Sequence, residues 1–246
     1  MKLAADSLAA LSQVPVRAAP EPGSELVTEL VAGETLVPLE ERGDWVRVVV
    51  PGHPSRLDER GYPGWVSREA HLTPADGWSP DLVVARPNRA GLPLGALLLG
   101  VGGAAALPGG EAVDLEEGAT MPLGEPVPLS APLLSRSLLG LPYRWGGTDS
   151  TTGMDCSGMV YRVMQLLGAG VPRDADDQFD YAPFKSEADW REAGVGDLVF
   201  FGAESVTHVG FYLGGGEYIS EHGSGGTMVR AMTEDTYHGF ARYGRG

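Results

Sequence analysis

The sequence predicts an α+β chain: a helix that opens on a cysteine and packs on an antiparallel sheet, preceded by two small β-barrels. Three observations predict it. After Cys156, residues Met159, Val160, Val163, Met164 and Leu167 recur at the spacing of one apolar helix face. Beyond residue 205, apolar and polar residues alternate in two runs joined by the glycines 214 to 216. Before residue 133 there are few helical patterns and many short apolar alternations divided by Gly and Pro, the mark of small antiparallel barrels. The 246 residues are 43% apolar, enough to bury real cores, and 36 Gly with 19 Pro fit a loop-rich β architecture better than disorder.

In chain order, residues 14–17, 25–31, 35–39, 45–50 and 61–66 read as the strands of a first barrel within residues 1–75, with turns at Gly33-Glu34 and Gly43-Asp44. Residues 81–86, 96–101, 111–115 and 127–129 read as a second, degenerate barrel within residues 76–132, for which scaffolding is the expected role. The stretch 94–107 is apolar but broken by glycines and too short to span a bilayer, so no membrane segment is expected. The first eleven residues lack an unbroken apolar core and carry Asp6, which does not read as a secretory leader. A lone thiol without a leader suits a reducing cytoplasm, an exported enzyme being the alternative. A formal charge of −15 argues against nucleic acid or an anionic membrane as partner, and the scattered acids read as a soluble surface. One cysteine with dispersed histidines offers no ligand cluster, so neither metal nor cofactor is expected.

Residues 133–246 carry the chemistry. Cys156 is the sole cysteine, so it is either core filler or a nucleophile. It follows Gly153-Met154-Asp155 and precedes Ser157-Gly158, polar and open surroundings that favour the nucleophile. At a helix start the dipole and unpaired amides stabilise the anion, so its pKa is expected below the free value of about 8.5. A cysteine nucleophile needs a base. Among five histidines, His208 stands in residues 206–213, where Val209, Phe211 and Leu213 face one side of a strand and His208, Gly210 and Tyr212 the other. Gly210 leaves room there for a neighbour to approach. On the following strand, residues 217–222, Tyr218, Ser220 and His222 share a face, and either Ser220 or His222 can orient the His208 ring.

Five ordered blocks then carry a resemblance. Pro142-Tyr143-Arg144-Trp145-Gly146-Gly147, Gly153-Met154-Asp155-Cys156-Ser157-Gly158, Val171-Pro172-Arg173-Asp174-Ala175-Asp176-Asp177-Gln178, Gly196-Asp197-Leu198-Val199-Phe200-Phe201 and His208-Val209-Gly210-Phe211-Tyr212-Leu213 resemble the NlpC family of papain-like cell-wall cysteine peptidases. The resemblance implies a papain-like catalytic domain with Cys156 as nucleophile, His208 as base, and Tyr143 helping the Cys156 amide to stabilise the oxyanion. The third catalytic residue of that family lies 12 residues after the base, where this chain has Ser220, an uncharged acceptor; His222 is the neighbouring candidate.

The N-terminal strands resemble the bacterial SH3-like domains that accompany these peptidases. The combination is similar to the subgroup of gamma-D-glutamyl-L-diamino acid endopeptidases that act on peptides with a free N-terminal L-Ala. By position, Glu34, Tyr62 and Asp174 are implied to meet that ammonium, and Ser157 and Arg173, beside Asp155, the glutamyl carboxylate. The subgroup often has serine where this chain has Ala175. The expected activity is hydrolysis of the bond between gamma-D-glutamate and a diamino acid, releasing L-Ala-D-Glu in cell-wall peptide recycling by a monomer. The expected resting pair is thiolate and imidazolium. Alternatives are a murein amidase or acyltransferase, a remodelling hydrolase of intact wall, and a non-catalytic wall-fragment binder with a decayed triad.

Overall fold

Short antiparallel strands dominate because the chain breaks its β-branched runs with Gly and Pro every few residues. A computed structural model describes residues 6–126, 130–233 and 236–244. They divide into two units, Met1–Glu125 with Gly146–Thr151, and Pro126–Trp145 with Thr152–Gly246.

In the first unit, β1 (Leu8–Ala10), β2 (Val14–Arg17), β3 (Leu26–Leu30), β4 (Thr35–Arg42), β5 (Trp45–Val50), β6 (Tyr62–Ser67) and β7 (Leu72–Pro74) form one sheet in the order β3-β2-β6-β5-β4-β1-β7. The five strands expected of a first barrel are all present. β1 and β7 are additional, each three residues long and too short to show alternation in sequence. Ala10, Val14, Val16, Leu30, Leu36, Val48, Val50, Tyr62 and Val66 pack as its core.

A second sheet follows, β8 (Leu82–Val84), β9 (Leu97–Val101), β10 (Ala104–Ala106), β11 (Ala112–Val113) and β12 (Thr120–Pro122), in the order β11-β10-β9-β8-β12. The apolar stretch 94–107 thus becomes a hairpin, and no helix among the described residues is long and apolar enough to cross a membrane. The strand expected at 127–129 lies outside the described residues. Val31 and Ala32 from the first sheet share a core with Val84, Ala96, Leu98 and Ala105. Gly33 makes this approach possible: its φ is +84°, and a Cβ there would lie 2.1 Å from the Leu97 carbonyl oxygen.

The same unit recruits β13 (Thr148–Asp149) through Glu29, which is fully buried. The amides of Thr148 and Asp149 donate to Glu29 Oε1 at 2.8 and 3.1 Å, and the Thr148 hydroxyl donates to the Glu29 carbonyl at 2.9 Å.

The second unit contains α1 (Ala131–Arg136), β14 (Gly153–Met154), α2 (Cys156–Leu166), α3 (Ala175–Asp180), β15 (Phe184–Ser186), β16 (Leu198–Phe201), β17 (His208–Gly214), β18 (Glu217–His222), β19 (Gly226–Ala231) and β20 (Tyr237–Arg242). Strands β15 to β20 form one sheet in the order β15-β20-β16-β17-β18-β19, each pair antiparallel. Val199, Phe201, Tyr212, Tyr218 and Phe240 pack on one face. Strand alternation puts Leu198, Phe200, Val209, Phe211 and Ile219 on the other, where α2 packs on β17 and β18. Met159, Val160 and Val163 are fully buried as the apolar stripe requires, but Leu166 fills the last buried position and Leu167 caps the helix. The architecture is therefore the expected one: a cysteine-bearing helix on an antiparallel sheet, preceded by two small β-sheets. Packing also assigns α1 to the second unit and joins the two N-terminal sheets in the first.

The Glu29 contacts give a test. Glu29→Ala leaves two buried amides without their acceptor and is expected to lower stability by about 3 kcal/mol in chemical denaturation; an unchanged midpoint would show that they are not what holds the 146–151 segment.

Candidate active site

Asp155 terminates an extended stretch and is the N-cap of α2, its Oδ1 accepting from the Gly158 amide at 2.6 Å. Arg173 grips the same carboxylate with both arms, Nη1 to Oδ1 at 3.0 Å and Nη2 to Oδ2 at 2.8 Å. Ser157 completes the cluster, donating to Asp155 Oδ1 at 3.1 Å and accepting from Arg173 Nη1 at 2.9 Å. Gln178 of α3 donates to the carbonyls of Ser157 and Pro172 at 3.1 and 2.8 Å. These bonds correct one expectation. The Arg173 side chain is 1% exposed and its fork is taken by Asp155, so it braces the helix start and does not present itself to a substrate carboxylate. The Ser157 hydroxyl is likewise committed within the chain.

Cys156 begins α2 and is 7% exposed. The ladder between β17 and β18 gives way beyond Phe211↔Ile219, and the Val209 amide is among the groups that favour the Cys156 anion. Burial pushes the thiol up to about 12, with the Asp155 carboxylate adding to the rise; the amides of Val209 and Ser157 and the Arg173 guanidinium oppose it. The expectation of a depressed thiol pKa is overturned, because desolvation outweighs the helix-start amides.

His208 leads β17 beside Phe201 and Tyr218, ring centroids 5.9 and 6.3 Å away, and its closest aromatic neighbour is His222 at 4.6 Å. Burial, then His222 and Arg230, hold its pKa down at about 4. Burial and Arg230 do the same to His222. Both shifts favour a neutral thiol and a neutral imidazole over the ion pair expected from sequence. Nε2 of each ring is buried without a hydrogen-bond partner among the described residues, while His222 Nδ1 lies 3.5 Å from Arg230 Nη1. Between the two candidate orienting residues the geometry separates roles: the Ser220 hydroxyl donates to the Val209 carbonyl, and the His222 ring packs on His208. Gly210 is the expected close approach, since a Cβ would lie 2.6 Å from the Ile219 carbonyl oxygen and 2.9 Å from Ser220 Cβ.

Tyr143 bridges to Met154 and is half-buried. Burial raises its phenol to about 12, with Cys156 and Asp155 adding, so it keeps its proton as a donor. Asp174 is the half-buried N-cap residue of α3 and makes no side-chain cap bond. In the first unit, Glu34 is buried, accepts from the Val31 amide at 2.8 Å and sits 3.3 Å from His53 Nε2, while Thr28 Oγ1 meets His53 Nδ1 at 2.8 Å. Tyr62 is 5% exposed and belongs to that unit's core.

Glu221 escaped the sequence reading. It is fully buried, accepts from the Thr227 hydroxyl through Oε1, and leaves Oε2 without a partner among the described residues. Burial pushes its carboxyl up to about 8 against the Thr227 bond, and Asp155 adds to the rise. The signal lay in the alternation: if Tyr218, Ser220 and His222 share one face, Glu221 joins Ile219 on the face that α2 covers.

The chain matches the NlpC/P60 family over residues 140–242 and a bacterial dipeptidyl-peptidase SH3 domain over residues 16–70. It is 30% identical over 234 residues to the gamma-D-glutamyl-L-lysine dipeptidyl-peptidase of Bacillus subtilis, covering 85% of this chain and 77% of that one. It is also 30% identical over 229 residues to the protein of the same name from Bacillus cereus, covering 80% and 67%. The crystal structure of an NlpC/P60 family protein from Bacillus cereus superposes with a TM-score of 0.83 over 96% of this chain and 99% of that one, at 22% identity, a likeness of fold.

Two measurements check the electrostatics. Alkylation of Cys156 by iodoacetamide is expected to rise about ten-fold per pH unit between about pH 6 and pH 10 without a plateau, as a raised thiol pKa requires; a rate already flat at about pH 6 would reveal a preformed thiolate. For Glu221 the folded pKa of about 8 lies above an unfolded value near 4.3, so the folded state holds an extra proton between them and loses stability as pH rises through that window. Glu221→Gln is expected to melt higher than wild type by a larger margin at about pH 8 than at about pH 5. Equal margins would place Glu221 ionised in the folded protein.

Proposed function

Because the chain belongs to the NlpC/P60 family of cysteine peptidases acting on peptidoglycan, we propose that it hydrolyses the gamma-D-glutamyl bond to a diamino acid in murein peptides with a free N-terminal L-Ala. The observation that carries this reading is the Cys156 thiol at the start of α2, near enough to Val209, the residue after His208, for that amide to favour its anion.

His208 takes the thiol proton as the sulfur attacks the gamma-glutamyl carbonyl carbon, since neither group is charged at rest. The Cys156 amide and the protonated Tyr143 hydroxyl receive the oxyanion. As the tetrahedral intermediate collapses, the C–N bond breaks and His208 gives its proton to the departing amine. Water, deprotonated by His208, then attacks the thioester, releasing L-Ala-D-Glu and restoring the thiol. His222 holds the His208 ring, whereas Ser220 supports the Val209 carbonyl beside the sulfur.

Selectivity for a free L-Ala ammonium is a reading supported by the two Bacillus relatives and the matching SH3 domain. A substrate blocked at that amine loses the charge and leaves a carboxylate uncompensated. With the glutamyl carboxylate no longer assigned to Arg173, backbone amides at the helix start are the remaining donors for it. We place the activity in peptide recycling in the cytoplasm, where a lone thiol stays reduced.

The test is incubation with L-Ala-gamma-D-Glu-diamino acid peptides, free and N-acetylated. Cleavage of the free peptide alone is expected, with Cys156→Ala losing at least about 10⁴-fold, His222→Ala about 10²-fold, and Ser220→Ala only a few-fold. Equal cleavage of the acetylated peptide overturns the ammonium assignment, and binding without turnover by wild type makes the protein a binder.

A further inference from the structure

A pocket of about 440 Å³ opens beside the proposed base, walled by Thr207, His208, Tyr218, His222, Arg230 and Thr236. It lies within the second unit, on the sheet face that carries His208 and His222. Three observations bear on its ligand. Nε2 of His208 and of His222 are buried without hydrogen-bond partners among the described residues. Arg230 is exposed, makes no ion pair of 4 Å or less among those residues, and touches only His222 Nδ1 at 3.5 Å among the bonds of its side chain. No described residue lining the pocket is a carboxylate. Its wall therefore presents hydroxyls, imidazoles and an unneutralised guanidinium, a set that suits an anion and repels a cation.

The mechanism says which part of a substrate reaches it. His208 must deliver its proton to the departing amine, so the leaving diamino acid lies against His208, and whatever that residue carries beyond its amine extends along the pocket.

Building on the peptidase reading, we propose that this pocket is the leaving-group subsite and that Arg230 binds a carboxylate carried by the departing diamino acid. Two sources supply that chemistry: the α-carboxylate at a peptide's end, and the second carboxylate of a diaminopimelate-type side chain. The first makes the enzyme selective for peptides ending at the diamino acid. The second makes it selective for dicarboxylic over lysine-type residues, whose terminal ammonium meets only positive and neutral groups on the described wall.

Three substrates separate these sources: L-Ala-gamma-D-Glu-L-Lys, its α-amide, and L-Ala-gamma-D-Glu-diaminopimelate in which the α-carboxyl is amidated. The α-amide of the lysine peptide has no leaving-group carboxylate and serves as the control. Arg230→Ala is expected to lower kcat/KM on at least one carboxylate-bearing peptide by about 10- to 100-fold more than on the control, whose own change reads the effect of Arg230 on His208, with Arg230→Lys recovering part of that difference. Loss on the free lysine peptide identifies the α-carboxylate, and loss on the diaminopimelate peptide identifies the side chain. Equal effects on all three, or none on any, overturn the proposal.

Should wild type cleave no peptide, the peptidase reading falls and the pocket is judged by calorimetry with free diaminopimelate and with lysine amide. Binding of diaminopimelate that Arg230→Ala abolishes, with none of lysine amide, sustains the subsite. Binding of neither, or of both alike, removes it.

Discussion

The buried pair of Asp155 and Arg173 is the constraint on which the catalytic unit depends. One carboxylate caps α2 through the Gly158 amide, fixes the Ser157 hydroxyl and receives both arms of Arg173. Arg173 in turn anchors the segment leading to α3, whose Gln178 reaches back to the Ser157 carbonyl. Either charge alone would be uncompensated in a dry interior, a state costing several kcal/mol, so the two residues stand or fall together. What they hold in place is the first turn of the helix, and with it the position of the Cys156 sulfur.

The same arrangement sets the protonation of the site. The carboxylate that caps the helix opposes ionisation of the thiol beside it, and burial opposes it more strongly. Arg173 and the amides of Val209 and Ser157 recover part of that loss but not all of it. On the other side, burial, and after it His222 and Arg230, oppose proton binding by His208. A thiol stored in its neutral form is a weak target for oxidants and stray electrophiles, and its activation waits for the substrate. Glu221 extends the logic: a third acid near the cluster is tolerated because burial keeps it protonated.

Charge is consequently divided across the sheet. The start of α2 holds the Asp155 carboxylate beside the sulfur, whereas the sheet face carrying His208 and His222 is bordered by the cation Arg230. An acyl group and a leaving amine emerging on opposite sides of the nucleophile thus meet different electrostatic surroundings. Arg230 serves twice in this reading: it depresses the base and offers a counter-charge to the group the base must protonate.

Much of this was legible in the residues themselves. The stripe of Met159, Val160, Val163 and Met164, with Asp155 before it, located the start of α2, and the alternation from Val209 to Leu213 identified the strand of His208. Gly210 announced the close approach that Ser220 makes. Those features are readable because periodicity, capping and glycine geometry are properties of short stretches of chain. The strands β1 and β7 were not, being too short for a period and formed only by pairing with β4 and with each other. Nor did sequence determine that the Arg173 fork turns inward, that Ser220 bonds the backbone while His222 meets the base, that Glu221 is buried, or that the thiol rests neutral. Each of those outcomes depends on desolvation and on partners from distant parts of the chain, and the packed tertiary structure alone supplies both.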